Sequence, residues 1–214
     1  MGSIGRCCCL TCVIDSDDFD RADAATLGAQ WDDWSNVWTI DNNEAVSTGA
    51  GNARFDVIHP VPDESMVVYV ETRDEVADSG DKYRVLVNVL DADNYHFAEF
   101  TRNGANDSTL ALGSASAGVE TVAKTETILG LTGTSRQIVV TIAENEFCAN
   151  VTNSVLSLVT TVPTLISGGY WSGIGSAANP IKLDNFVFEE HRQTNPECDS
   201  CLCKCEGNYI PPTL

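Results

Sequence analysis

Apolar residues recur at every second position through the centre of the chain, in short runs separated by Gly, Asn, Asp and Ser. The alternation is clear in 66–73, 82–91 and 95–102. Successive side chains of a strand point to opposite faces, whereas a helix repeats every 3.6 residues, so this period predicts strands. We find no convincing helical stretch. The pattern predicts about a dozen short strands and under about a tenth of the residues in helix.

Turn residues join several of these runs into hairpins. The cluster 91–94 connects 82–91 with 95–102, and a short link connects 135–144 with 147–152. Many short strands at even spacing predict an all-β, antiparallel two-sheet sandwich. The predicted core comprises Phe19, Trp38, Ile40, Val68, Val85, Val87, Phe97, Val140, Ile142, Leu183 and Val187.

Charge excludes one class of partner. The 214 residues hold 12 Lys and Arg against 31 Asp and Glu, for a formal charge of -19. A nucleic-acid binder needs a basic surface to displace counterions, so we expect no nucleic-acid partner. We also expect no membrane insertion, because no apolar run is long enough for a spanning helix.

The first six residues lead directly into Cys7 with no apolar stretch, so no secretory signal peptide is visible. We therefore expect a virion or extracellular location that is reached after removal of a signal or by another route, such as virion assembly followed by lysis.

Cysteine distribution divides the chain into three parts. We expect a Cys-rich N-terminal segment at 1–16, a sandwich at 17–190, and a Cys-rich, proline-containing tail at 191–214. The sandwich holds Cys148 alone, which we interpret as a buried lone thiol.

The central part resembles the concanavalin A-like, laminin-G-like jelly-roll superfamily over about 17–190. The resemblance is carried by Asp18-Phe19-Asp20-Arg21, Leu27-Gly28, Trp31, Trp38-Thr39-Ile40-Asp41-Asn42-Asn43, 83–100, Gly173-Ile174-Gly175 and Leu183-Asp184-Asn185-Phe186-Val187. It implies a lectin-like jelly roll with buried aromatic residues in its first strands. The fold hosts lectins, glycosidases, adhesion modules and virion proteins, so it does not decide the function. The cysteine-rich tails are loosely similar to uncharacterised structural proteins of bacterial viruses.

No catalytic set is visible in the sequence. A glycosidase needs two carboxylates across a cleft, and the close pairs Glu144/Glu146 and Glu189/Glu190 lie at a turn or strand end. The three histidines belong to no nucleophile or metal signature. We expect a protein that is not an enzyme.

Calcium is the candidate cofactor. First and last strands of jelly rolls often lie side by side, and oxygen ligands from both can hold Ca²⁺. Asp17, Asp18 and Asp184, with Asp15 beside them, are the candidate ligands. The turn of Asp91, Asp93 and Asn94 is a second candidate site, and an ordinary Asx turn is the alternative.

Two tryptophans are candidates for stacking on a sugar. Trp34 and Trp171 lie in polar or glycine-rich surroundings, whereas Trp31 and Trp38 are expected in the core. Packing at the core or an edge is the alternative for all four.

The terminal cysteines predict covalent links or a metal site. The two clusters balance four against four: Cys7, Cys8, Cys9 and Cys12 against Cys198, Cys201, Cys203 and Cys205. Disulfides within or between subunits are one interpretation. Zinc is the other, because two Cys-x-x-Cys pairs have the spacing of a four-thiolate site.

Together these features predict a structural, self-assembling protein of a virion or extracellular assembly, whose cysteine-rich termini lock or cross-link subunits. The alternative is a secreted, calcium-dependent, carbohydrate-binding module with a glycan as partner.

Overall fold

The computed structural model describes residues 9–57, 65–72, 80–103, 107–129, 136–143, 146–151, 157–161, 165–169, 171–177 and 181–193. Within these ranges all regular structure is β, in fifteen strands that form two antiparallel sheets. The predicted all-β sandwich is confirmed. The described residues contain no helix that is long and apolar enough to cross a membrane.

Sheet A has eight strands: β1 (Cys9–Asp17), β3 (Trp38–Asp41), β4 (Glu44–Ser47), β6 (Ser65–Thr72), β11 (Arg136–Ala143), β12 (Glu146–Val151), β13 (Ser157–Thr161) and β15 (Lys182–Gln193). Their order is β13-β12-β11-β6-β15-β4-β3, and β1 also pairs with β15. The predicted hairpin of 135–144 with 147–152 is β11–β12.

Sheet B has seven strands: β2 (Trp31–Asp33), β5 (Gly51–Phe55), β7 (Lys82–Asp91), β8 (Asn94–Arg102), β9 (Asp107–Ser116), β10 (Val119–Leu129) and β14 (Trp171–Ser176). Their order is β10-β9-β8-β7-β14-β5-β2. The other predicted hairpin is β7–β8, whose turn is closed by Asp91 Oδ1 accepting from Asp93 N at 2.9 Å.

The core lies between the two sheets. Nine of the eleven predicted core residues belong to its central cluster, where Trp31, Phe55 and Phe186 also meet at ring-centroid distances of 4.9–5.2 Å. Phe97 and Val187 are buried but lie outside that cluster. Their predicted burial is confirmed, but these two residues lie on the outer faces of the sheets.

A bulge explains Val187. The register of β15 shifts between Asp184 and Val187, and Asn185 adopts a positive φ of 48°. One extra residue reverses the alternation beyond it. Phe186 and Phe188 therefore enter the core, while Val187 lies on the opposite face of sheet A.

Phe97 has a different cause. Along β8 both alternating sets are apolar, with Ala98 and Phe100 in the core and Tyr95 and Phe97 on the outer face. Alternation separates two faces but does not say which one is covered.

The first and last strands pair along their whole common length. Cys9 lies opposite Gln193 and Asp17 opposite Phe186. Both strand ends that lead into the cysteine-rich segments therefore lie side by side at one end of sheet A. Cys7, Cys8, Cys198, Cys201, Cys203 and Cys205 lie outside the described residues.

Candidate ligand-binding face of sheet B

A second apolar cluster lies on the outer face of sheet B, away from the core. It comprises Leu86, Val89, Tyr95, Phe97 and Ala115, with the partly exposed Trp34 and Trp171 packed against it. Outer sheet faces in sandwiches are ordinarily polar. An aromatic cluster with two tryptophans at its border is therefore a candidate binding surface.

Both tryptophans contact one arginine. The Arg54 guanidinium is 4.4 Å from the Trp171 ring centroid and 5.9 Å from that of Trp34. Asp32 Oδ2 accepts from Trp34 Nε1 at 3.0 Å and from Arg54 Nη2 at 3.1 Å, and Asp56 accepts from the same Nη2 at 3.2 Å. The rings are thus held in place by an ion pair and a cation–π contact.

Local sequence explains why this group forms. Alternation along β5 sends Ala53 and Phe55 into the core and leaves Asn52 and Arg54 on the outer face. In the neighbouring β14, Gly173 leaves room for the backbone of β5, because a Cβ there would lie 2.3 Å from the Ala53 carbonyl oxygen.

A second polar group crosses the same face. Arg84 donates through Nε to Glu99 at 2.8 Å and through both Nη atoms to Glu120 at 2.6 and 2.9 Å, and its guanidinium stacks 4.6 Å from the Phe97 centroid. Tyr95 donates to Glu120 at 2.7 Å and accepts from Asn52 Nδ2 at 3.1 Å. Four strands of sheet B, β5, β7, β8 and β10, thereby contribute to one network.

Ionisation in this network opposes acid catalysis. Burial would lower the pKa of Arg84, but Glu120 and Glu99 raise it above its ordinary value. Hydrogen bonds from Arg84 lower the pKa of Glu120, while burial and Glu120 raise the pKa of Tyr95 to about 12. A general acid needs a raised carboxyl pKa, so Glu120 serves as a hydrogen-bond acceptor.

The structure gives Asp17 a role other than the predicted metal ligand. Its buried carboxylate accepts from Arg21 at 2.6 and 3.0 Å, Trp31 Nε1 at 2.7 Å, Gln30 at 2.8 Å and Phe19 N at 2.9 Å. Five donors and the Arg21 charge satisfy its oxygens.

The other predicted calcium ligands do not join Asp17. Asp18 is exposed and accepts from Asp20 N at 3.1 Å, and buried Asp184 accepts from the backbone and side chain of Asn185. In the described part of the chain no three His, Cys, Asp or Glu side chains are grouped to hold a metal ion. Calcium binding stays a prediction.

The backbone bears on the choice between disulfides and zinc. Cys9 and Cys12 both lie within β1. Three residues of extended strand separate their Cα atoms by about 10 Å. Two thiolates on one zinc ion must each lie about 2.3 Å from the metal, which calls for a turn between the cysteines. The extended backbone thus favours disulfides over zinc for this pair.

Cys148 differs from its prediction. It is buried on β12 and disulfide-bonded, so its interpretation as a lone thiol was wrong. His96 is buried against Phe147, at 5.8 Å between ring centroids.

Sequence reasoning singled out Trp34 and Trp171, and the structure brings them together. It missed Asn52, Arg54, Arg84 and Glu120. The alternation of β7 could have revealed Arg84. It lies between the core residues Tyr83 and Val85, so its large charged side chain has to lie on the outer face.

No family model matches the chain, and no curated protein matches it. Among solved structures, the chain is similar to the CBM2 module of Lactobacillus casei BL23 phage J-1 evolved Dit, with a TM-score of 0.56 and 9% identity over 86% of this chain and 97% of that one. The carbohydrate binding module CBM66 from Bacillus subtilis gives 0.51 and 10% over 75% and 95%. The likeness is one of fold.

A GH43 protein from Bacillus licheniformis is similar with a TM-score of 0.56 and 12% identity over 82% of this chain. This chain spans only 39% of that protein's length. The shared part is thus a β-sandwich within a longer protein.

Proposed function

We propose that the protein is a carbohydrate-binding module of the concanavalin A-like type, which binds a neutral saccharide on the outer face of sheet B. The observation that carries this proposal is the contact of both Trp34 and Trp171 with Arg54, beside Asp32. Sugar rings stack on aromatic faces while their hydroxyl groups hydrogen-bond to charged side chains. The face offers both.

Charge selects the class of sugar. The three cations of the face are opposed by four carboxylates: Asp32 and Asp56 at Arg54, and Glu99 and Glu120 at Arg84, with Lys82 also 3.4 Å from Glu99. The remaining negative charge repels uronic, sialic and sulfated sugars, whereas uncharged hydroxyl groups can donate to the carboxylates. We therefore propose neutral saccharides as ligands.

The solved structures of similar fold include one named as a carbohydrate binding module and one from a phage Dit protein. This supports a binding role, and it fits the further proposal that the protein works at the surface of a virion or another extracellular assembly.

A neutral-glycan array followed by calorimetry tests the binding. Trp171→Ala is expected to weaken affinity at least tenfold, because stacking is lost, and Asp32→Asn to weaken it severalfold. Glu146→Gln is the matched control for Asp32→Asn, since it removes an exposed carboxylate from sheet A. Unchanged affinity in both face variants, or preference for acidic glycans, contradicts the proposal.

A second role is favoured by the pairing of β1 with β15. Because Cys9 lies opposite Gln193, the cysteine-rich segments leave from adjacent points. We propose that these segments cross-link subunits through disulfides, with zinc as the alternative. Non-reducing gels and size-exclusion chromatography before and after reduction test this role. A monomer under both conditions contradicts cross-linking, and stoichiometric bound zinc with free thiols favours the alternative.

A further inference from the structure

The outer face of sheet A is buried where alternation predicts contact with solvent. On β12, Phe147 and Ala149 enter the core, so Cys148 between them points to the outer face, where it is 1% exposed. On the neighbouring β11, Val139 and Thr141 are likewise outward and only 4% and 7% exposed. These outward side chains are therefore shielded from solvent.

Asn150 marks the same patch. Its side chain lies on the outer face two residues beyond Cys148, and its Oδ1 is buried with no hydrogen-bond partner among the described residues. A buried acceptor is ordinarily satisfied by a donor in native structures. The patch therefore combines shielded side chains with one buried oxygen that no described residue satisfies.

The disulfide narrows the choice of partner for Cys148. Cys148 is disulfide-bonded, and the other eight cysteines of the chain all belong to the two terminal clusters. The partner cysteine therefore comes from one end of the chain or the other.

Register excludes the N-terminal cluster. Cys148 lies opposite Thr141, Thr141 opposite Val67, Val67 opposite Glu189, and Glu189 opposite Val13. Four strand spacings thus separate β12 from β1, about 19 Å. Cys12 adjoins that row, and Cys9 lies four residues from Val13, about 23 Å from Cys148 along the diagonal. Cys7 and Cys8 extend that reach by at most about 7 Å, whereas a disulfide needs Cα atoms within about 6.8 Å.

The C-terminal cluster is within reach. Glu189 lies in the same row as Cys148, three strand spacings away, and Gln193 follows Glu189 by four residues along β15. The Cα atoms of Gln193 and Cys148 are thus about 19 Å apart along the diagonal. Cys198, five residues after Gln193, can extend about 17 Å, and Cys201, Cys203 and Cys205, eight to twelve residues after it, about 27 Å or more. Because a disulfide allows about 6.8 Å between its Cα atoms, all four are within reach.

We propose that Cys148, on the outer face of sheet A, forms a disulfide with a cysteine of the C-terminal cluster. The bond forms by thiol–disulfide exchange with a disulfide oxidant. Two thiols lose two protons and two electrons, one sulfur–sulfur bond forms, and the oxidant is reduced to two thiols.

The number of cysteines has a consequence for assembly. With Cys148 paired, three C-terminal and four N-terminal cysteines remain, an odd number. At least one thiol per subunit is then left for a second chain or stays free. The inference stands apart from the proposed sugar binding, because it concerns the opposite sheet.

Peptide mapping of the unreduced full-length protein tests the disulfide. Trypsin separates Cys148, in residues 137–182, from the N-terminal cysteines in 7–21 and the C-terminal ones in 193–204 and 205–214. The expected product is 137–182 joined to 193–204 or 205–214. A bond from 137–182 to 7–21, or a free Cys148 thiol, overturns the proposal.

Mixing isotope-labelled and unlabelled protein before oxidation shows which chain provides the partner. Peptides of one label only are expected, and mixed-label peptides containing Cys148 overturn the intrachain assignment. Cys148→Ser is expected to lower the Tm by about 10 °C under oxidising conditions and to leave the reduced protein nearly unchanged. An equal loss of Tm in the oxidised and the reduced protein indicates an effect on packing alone and overturns the proposed disulfide.

Discussion

Single residues buried between the sheets set the pH response of this protein. His96 lies in the core beside Phe147, and neither ring nitrogen has a hydrogen-bond partner among the described residues. Burial lowers its pKa to about 4. Asp17 is the opposite case, since its donors outweigh burial and lower its pKa below the ordinary value of 3.8.

We expect acid to destabilise the protein through His96. Between about pH 6.5 and pH 4, His96 is protonated in the unfolded chain but stays neutral in the folded one. The free energy of unfolding therefore falls as the pH is lowered through this window. A difference of about 2.5 pKa units corresponds to roughly 3 kcal/mol. His96→Phe is expected to flatten this slope, as measured by urea unfolding from pH 8 to 4. A parallel slope in the variant contradicts the assignment.

Asp17→Ala is expected to cost about 3 kcal/mol near neutral pH, because it leaves Arg21 and the Trp31 indole without their acceptor. The contribution of Asp17 is present above about pH 4 and is lost as the pH falls through its lower folded-state pKa. Thermal unfolding should show the same loss of stability in Asp17→Ala whether the buffer contains a chelator or millimolar Ca²⁺. A calcium-dependent rise in the wild-type Tm that disappears in Asp184→Ala would instead support the metal site.

At the scale of elements, close backbone contact between strands limits what the sheets tolerate. β14 lies between β5 and β7, and Gly173 faces the Ala53 carbonyl across the shared ladder. A side chain at this position has to displace backbone.

Gly173→Ala is therefore expected to lower the free energy of unfolding by about 2 kcal/mol or more, since the new Cβ would lie 2.3 Å from the Ala53 oxygen. Gly49→Ala is the matched control, because a Cβ at that position would meet no atom within 4 Å. Denaturant midpoints compare the two, and equal midpoints would contradict the packing argument.

Strands and hairpins could be predicted because alternation and turn residues are local signals. β7–β8 and β11–β12 match their predicted hairpins for this reason. The weakly patterned 104–133 contains β9 and β10, where β10 is largely exposed and so lacks an apolar period.

Bulges and outer-face clusters escaped prediction. The positive φ of Asn185 shifts the parity of β15, yet no sequence rule fixes a bulge to one residue. The contacts of Arg54 with Trp34 and Trp171 join segments that are far apart in sequence, so spacing along the chain carried no sign of them.

At the scale of the whole molecule, the formal charge of -19 means that the excess carboxylates repel one another in the folded state, which lowers its stability. We expect the Tm at pH 7 to rise by a few degrees between about 20 and 300 mM NaCl, because salt screens exposed charges. At about pH 4.5, where carboxylates are partly protonated, the same salt step should have a smaller effect. Differential scanning calorimetry measures both, and a salt-independent Tm at pH 7 would contradict the role of charge.

The pairing of Cys9 with Gln193 decides how the sandwich responds to mechanical load. Tension applied through the two ends of an antiparallel pair enters at one point, so its ladder hydrogen bonds break one after another instead of together. A sandwich pulled by its two tails would therefore unfold at low force, beginning at the pair of Cys9 and Gln193. A covalent bridge between the tails would carry the tension in place of β1 and β15. The folded sandwich would then bear no force.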